Sequence, residues 1–276
     1  MKEPTMKPRR PLTPQRKTNR RLRALNYLQN DKPRRTRPRI FGAISSKNGI
    51  HPACLNTIPF HLFDQWMVNY YPGVDSSRNM LMDYFLNESG CDYLMWIDDD
   101  ILLPPNVSDL WNYAWYNDLP LIAPMCSIMW NRIPYPGFYY WRDTDLLRTW
   151  TVEEVEYYRN EAKKKNIPPV VTNVDMVGGG CNLIRRDVAI MCRDEWDESF
   201  RYTWVDDADR VRRGEDTYFM RMVRDEGYTW AAHLGVEVGH IKPINIDWVS
   251  NMFYNQKTML KGIDDKVKKE PENPKE

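Results

Sequence analysis

This chain of 276 residues has only five cysteines, Cys54, Cys91, Cys126, Cys181 and Cys192, with neither a CxxC pair nor a zinc-ligand spacing. An odd count in apolar surroundings argues against a disulfide framework and for reduced thiols in a reducing compartment. No run of about 18 apolar residues occurs, so no membrane span is expected. The N-terminus lacks the apolar core of a secretory signal, and the expected location is the cytoplasm, that of the host if the protein is viral. An Arg-rich, acid-poor start also fits an organelle transit peptide, but its prolines and lack of a clean amphipathic stripe weigh against that. No internal repeat is present.

What is present begins with a division of charge. Residues 1–39 carry fourteen Lys or Arg against two acids, Glu3 and Asp31, a net of +12, which leaves −11 for the rest of a chain whose total is +1. With 42% hydrophobic residues, the remainder has ample material for a core. Three regions are expected: a basic, mostly disordered arm over 1–38 with a short helix near Leu22 to Leu28, a domain over 39–255, and a charged flexible tail over 256–276.

The domain reads as alternating strands and helices. IFGAIS (40–45) is an apolar strand, followed by a helical stretch from Pro52 to Trp66. A helix over 76–87, with Met80, Leu81, Tyr84 and Phe85 on one face, leads into the strand DYLMWI. Val107, Leu110, Trp111, Ala114 and Trp115 mark an amphipathic helix, and LPLIAP is the next strand. Such alternation predicts an α/β domain on a mostly parallel sheet, with ligands bound beyond the carboxyl ends of its strands. Residues 129–143 are too aromatic and proline-rich for regular structure and predict an irregular insertion, while Thr151 and Glu154 predict a capping box for a helix to about Lys165.

Four segments carry chemistry. In DYLMWIDDDILLPP, side-chain alternation along a strand places Asp98 and Asp100 on one side. Three adjacent carboxylates repel one another unless a cation lies between them, and hard oxygen ligands favour magnesium, manganese or calcium. In VDMVGGGCNLIRRD, Gly178, Gly179 and Gly180 allow close approach of a ligand to the backbone, or simply a tight turn. In GEDTYFMRMVRDEGY, Glu215 and Asp216 open a helix with apolar face Phe219, Met222 and Val223, where acids are also favoured by the helix dipole alone. In GVEVGHIKP, His240 follows a strand-like run.

In that order, the strand ending in DDD, the glycine patch, the GED helix and the GH pair resemble the family 2-like glycosyltransferases of the GT-A fold. The resemblance runs from about Ile40 to Pro243 and includes the RN of DSSRNMLMDYF. It implies a Rossmann-like sheet flanked by helices, a Mn2+ or Mg2+ ion and a nucleotide-diphosphate sugar as donor. Asp98, Asp100 and His240 would then hold the metal, and Asp99 would touch ribose or sugar. The three glycines would line the donor sugar and acceptor, and Asp216, with Glu215 second, would be the general base if the reaction inverts configuration. Ser45 with the loop to Lys47, Asp75 and Arg78 would form the nucleotide edge, Arg78 meeting phosphate or base. Two alternatives remain at this point. One is a nucleic-acid-binding protein acting through the basic arm, and the other is a metal-dependent nucleotidyltransferase. The first can merge with the leading expectation if the acceptor hydroxyl is on modified DNA.

Overall fold

The computed structural model describes residues 14–32, 35–46, 49–70, 73–130, 133–142, 146–193, 198–204 and 212–241. The strands are β1 (Ile40–Ser46), β2 (Gln65–Tyr70), β3 (Tyr93–Asp98), β4 (Ile101–Leu102), β5 (Leu121–Trp130), β6 (Ile133–Pro136) and β7 (Phe138–Arg142), then β8 (Leu146–Thr149), β9 (Val170–Val174), β10 (Met176–Val177), β11 (Cys181–Arg185), β12 (Thr203–Trp204), β13 (Arg212–Arg213) and β14 (Trp230–His240). The α-helices are α1 (Pro14–Asn26), α2 (Pro52–Leu55), α3 (Val74–Tyr84), α4 (Ser108–Tyr116), α5 (Val152–Lys165), α6 (Arg186–Met191) and α7 (Glu215–Asp225).

The main sheet is ordered β2-β1-β3-β11-β5-β14-β4, with β6 on β5 and β9 on β14. Strands β2, β1, β3, β5 and β14 run one way, and β11 is inserted against them. This is the expected mixed α/β domain on a mainly parallel sheet, consistent with the GT-A arrangement. Its central strands are buried on both faces, which is why YLMWI reads as a continuous apolar run instead of an alternating one. Leu94 and Trp96 pack with α3, α6 and α7, and Tyr93, Met95 and Ile97 pack with α4 on the other face.

Four local expectations need correction. The stretch 52–66 is not one helix: α2 ends at Leu55, a single 3-10 turn spans Phe60–Leu62, and β2 follows. As an edge strand, β2 leaves Trp66 and Tyr70 exposed, so it lacks a buried apolar signature. The aromatic, proline-rich stretch after β5 is regular. β6 pairs with β5 only, an edge position that tolerates Pro134 and Pro136, and β7 joins β8 and β10 in a small sheet. Along α3 the inward stripe is Arg78, Leu81, Met82 and Phe85, while Met80 is 55% exposed. Finally, from Pro14 to Asp31 the basic arm is helical: α1 runs into a wide π-type turn and packs on α6 through Arg20, Ala24 and Tyr27. Residues 1–13 and 242–276, with Lys47 and the expected tail over 256–276, lie outside the described residues.

The helices expected at Val107 to Trp115, Thr151 to Lys165 and Glu215 onward are present. The capping box of α5 is complete: the Thr151 hydroxyl accepts from the Glu154 N–H, and the Glu154 carboxylate accepts from the Thr151 N–H.

Candidate active site

Strand β3 ends at Asp98, which lies beside Ser45 of β1 in register. Asp99 and Asp100 form a turn into β4, so strand alternation does not carry through to Asp100. The three carboxylates consequently go to three different partners.

Asp98 faces α3. Its Oδ1 accepts from Arg78 Nη2 at 2.8 Å and from Trp96 Nε1 at 3.1 Å, and its backbone N–H donates to the Gly180 carbonyl at 2.8 Å. The side chain keeps some contact with solvent, yet burial by the surrounding protein pushes its carboxyl above the ordinary range against the pull of Arg78 and Trp96. Asp99 Oδ2 accepts from the Ser46 hydroxyl at 2.8 Å, which ties the triplet to the end of β1.

Asp100 faces the end of β14. The two-residue strand β4 folds back antiparallel on that end, pairing Leu102 with Gly239 and Ile101 with His240. A Cβ at Gly239 would lie 3.0 Å from the Leu102 side chain, so glycine permits the close pairing. His240 Nε2 then stands 3.1 Å from Asp100 Oδ2, and Nδ1 stands 3.2 Å from the Ser127 carbonyl. Burial, the largest single influence, would lower the imidazole pKa, but the hydrogen bonds and charges of Asp100 and Cys126 together outweigh it and carry the value up to about 10. Among the described residues, no group of three or more His, Cys, Asp and Glu is gathered so as to hold a metal ion by itself.

The glycine patch separates into different jobs. Gly178 donates to the Gly137 carbonyl at 2.7 Å and belongs to the small sheet's edge. Gly179 lies against α7: a Cβ there would be 2.7 Å from Asp216 Cβ and 3.2 Å from Arg78 Nη1. Gly180 lies beside Asp98.

At the head of α7 the two acids also diverge. Glu215 is buried and its Oε1 lies 3.3 Å from Arg78 Nη1. Asp216 is half-buried, with Oδ1 accepting from the Thr217 N–H at 2.6 Å and Oδ2 beside Gly179.

Three residues were expected at the nucleotide edge, and each has a definite place in the structure. Arg78 is 3% exposed and its terminal nitrogens face Asp98 and Glu215, with Nε unpartnered among the described residues. Ser45 is buried and donates to the Ser77 hydroxyl at 2.9 Å, bonding β1 to α3. Asp75 lines a polar cavity of about 700 Å³ with Arg23, Asn79 and Asp83, on a face of α3 turned away from the inward stripe of Arg78. Sequence reading missed Trp96 and the Ser127 carbonyl as partners of the site, while Ser46 falls inside the loop from Ser45 to Lys47 that it named. Nothing in the chain marks the Ser127 carbonyl, which the pairing of β14 with β5 brings to His240.

No protein-family model matches the chain, and no curated protein sequence matches it. A solved structure titled A197 from STIV superposes with a TM-score of 0.50 at 13% identity, covering 74% of this chain and 86% of that one. A structure of GalNAc-T7 with UDP, GalNAc and Mn2+ gives a TM-score of 0.48 at 13% identity, covering 76% of this chain and 45% of that one. No helix among the described residues is long and apolar enough to cross a membrane. The likeness to A197 is one of fold alone.

Proposed function

We propose that the protein is a metal-dependent glycosyltransferase that moves a sugar from a nucleotide-sugar donor to an acceptor hydroxyl. The observation that carries this reading is the meeting of Asp100 with His240, 3.1 Å apart although 140 residues separate them in sequence. Asp100 stands in the turn just beyond the carboxyl end of β3 and His240 at the carboxyl end of β14, the side on which open α/β sheets bind ligands.

The donor set suits a Mn2+ or Mg2+ ion shared with a diphosphate better than an ion caged by protein. Asp100 and His240 supply a carboxylate and an imidazole, and Asp98 has one oxygen, Oδ2, outside its bonds to Arg78 and Trp96. Hard divalent ions of this kind commonly keep substrate phosphates and waters as their other ligands, which agrees with the lack of a complete protein cage among the described residues. Asp100 and Cys126 together hold a proton on the His240 ring, which supplies positive charge beside Asp100. A bound ion would act as a Lewis acid on the charge that develops on the departing diphosphate. The chain's own part in proton transfer falls to Asp216, whose Oδ2 stands at the glycine floor, while Glu215 is committed to Arg78. A carboxylate so placed would take the proton of the acceptor hydroxyl, a contribution of about 10²- to 10⁴-fold.

The test mixes the purified protein and Mn2+ with UDP-, GDP-, TDP- and CMP-linked sugars and follows nucleotide release, with Asp100→Ala as control. Release from one donor, lost in the control, is expected. Silence with every donor, together with no metal-dependent nucleotide binding, would overturn the reading.

A further inference from the structure

We propose that Arg78 is a positioning residue that locks the Asp98 carboxylate to the head of α7, so that one buried guanidinium sets both the metal side and the acceptor side of the site. The proposal rests on the reading of the site given above and assigns Arg78 a role other than contact with the donor phosphates.

The guanidinium is buried and both of its terminal nitrogens face carboxylates, while its Nε has no hydrogen-bond partner among the described residues. Its Nη2 donates to Asp98 Oδ1 at 2.8 Å, and its Nη1 faces Glu215 Oε1 at 3.3 Å. One face lies on the Trp96 ring, 4.9 Å from Cζ to the centroid, and the Phe200 ring is 5.5 Å away. Phe200 in turn stacks on Phe219 of α7 at 5.0 Å, so Trp96, Arg78, Phe200 and Phe219 form a packed link from β3 to α7. The neighbouring Asn79 secures that link: its Oδ1 accepts from the N–H groups of Ser199 and Phe200 at 2.9 and 3.0 Å, and its Nδ2 donates to the Phe200 carbonyl at 2.8 Å. The Arg-Asn pair therefore has a divided task, Arg78 holding two carboxylates and Asn79 holding the aromatic ring laid on Arg78.

Two consequences follow from the geometry. Asp98 can offer a cation only Oδ2, because Arg78 and Trp96 occupy Oδ1, so the guanidinium selects the ligating oxygen. And a fork is required: Arg presents two donors to two carboxylates in fixed directions, whereas a lysine ammonium at the same position is a single point charge. Residues that orient a metal's ligands typically affect metal affinity by about 10- to 100-fold.

The test uses the full chain and compares wild type with Arg78→Lys, Asp98→Asn, their double variant and Glu215→Gln. Lysine keeps the charge, so any effect reports the loss of the fork. Mn2+ uptake is followed without donor by the electron paramagnetic resonance signal of the free ion, donor turnover gives kcat and KM separately, and urea unfolding reports stability. Expected results are Mn2+ affinity about tenfold weaker in Arg78→Lys, kcat falling more than KM rises, and non-additive effects of Arg78→Lys and Asp98→Asn on unfolding. Glu215→Gln should weaken Mn2+ uptake as well, in the same direction, although Glu215 is bonded to Arg78 and not to Asp98. Wild-type Mn2+ affinity in both Arg78→Lys and Glu215→Gln, with only a raised donor KM in the former, would overturn the proposal in favour of a phosphate contact. If wild type itself takes up no Mn2+, the metal reading fails. The unfolding cycle then decides the positioning role by itself, coupling supporting it and additivity overturning it. Should Arg78→Lys fail to fold, Glu215→Gln decides the same question through Mn2+ uptake.

Discussion

Asp98, Asp99 and Asp100 are identical side chains that the backbone hands to Arg78, Ser46 and His240 respectively. Their differentiation is decided by where β3 stops, and that one-residue detail is invisible in a run of three identical letters. The acidic triplet was legible because charge at the end of an apolar strand is rare, and the GH pair only through its place in the ordered resemblance. The link through Arg78 was not, because an arginine in the apolar stripe of α3 looks like a helix's exposed face until the opposing carboxylates are known. A second histidine gives a prediction at this scale. His233 lies buried in β14, its ring edge-on to Tyr113, and its Nδ1 has no hydrogen-bond partner among the described residues. Burial lowers its pKa from the ordinary 6.5, with Asp109 pulling only partly the other way. The unfolded chain therefore binds a proton near pH 6.5 that the folded chain refuses until lower pH, so this residue costs stability as pH falls through 6.5. His233→Phe, which cannot charge, should lose less stability than wild type between pH 7 and pH 5 in urea titrations. An equal loss in both would show that His233 is protonated in the folded state as readily as in the unfolded one.

Among elements, periodicity was a reliable guide where one face is buried and the other wet, as in α4 and α7, and the capping box marked α5. It failed at edges: β2 and β6 are strands whose pattern is blurred by exposure and proline, and their pairing is a tertiary fact. The glycine patch was recognised as a unit, but its members are unequal in packing. A Cβ at Gly178 would meet Ile128 at an ordinary 3.6 Å, whereas one at Gly179 would sit 2.7 Å from Asp216 Cβ, an atom fixed by its own helix. Gly178→Ala should therefore retain both fold and activity. Gly179→Ala should push the head of α7 away from β11 and cut transfer at least tenfold, on the order of the loss caused by a misplacement of about 1 Å. Donor turnover and circular dichroism of the two variants side by side check this, and equal activity in both would remove Gly179 as the contact that sets α7.

At the scale of the whole molecule, the segregation of +12 onto the first 39 residues and −11 onto the rest has a structural outcome that composition alone could not specify. Part of the basic segment is spent on the domain. Arg20 donates to the Arg193 carbonyl, Tyr27 donates to Asp92 at 3.2 Å, and Arg35 pairs with the same buried Asp92 at 2.8 Å. The remainder of α1 faces solvent, with Lys17, Arg21 and Arg23 exposed. Removal of the arm as one piece would therefore confuse two effects, loss of polyanion affinity and loss of packing. A chain beginning at Pro14 keeps α1 and its contacts and loses Lys2, Lys7, Arg9 and Arg10. A chain beginning at Lys32 also loses the buried Ala24 and Tyr27 and should be less stable by about 2 to 4 kcal/mol. The two truncations should separate in urea, the first unfolding with the wild-type midpoint and the second earlier. If the basic segment binds DNA, the first truncation should already flatten the dependence of affinity on salt, by about 0.9 in log-log slope for each phosphate that the missing cations had neutralised. Stability unchanged in the chain beginning at Lys32 would mean that α1 is not part of the folded domain, and its charges would then be wholly available to a polyanion.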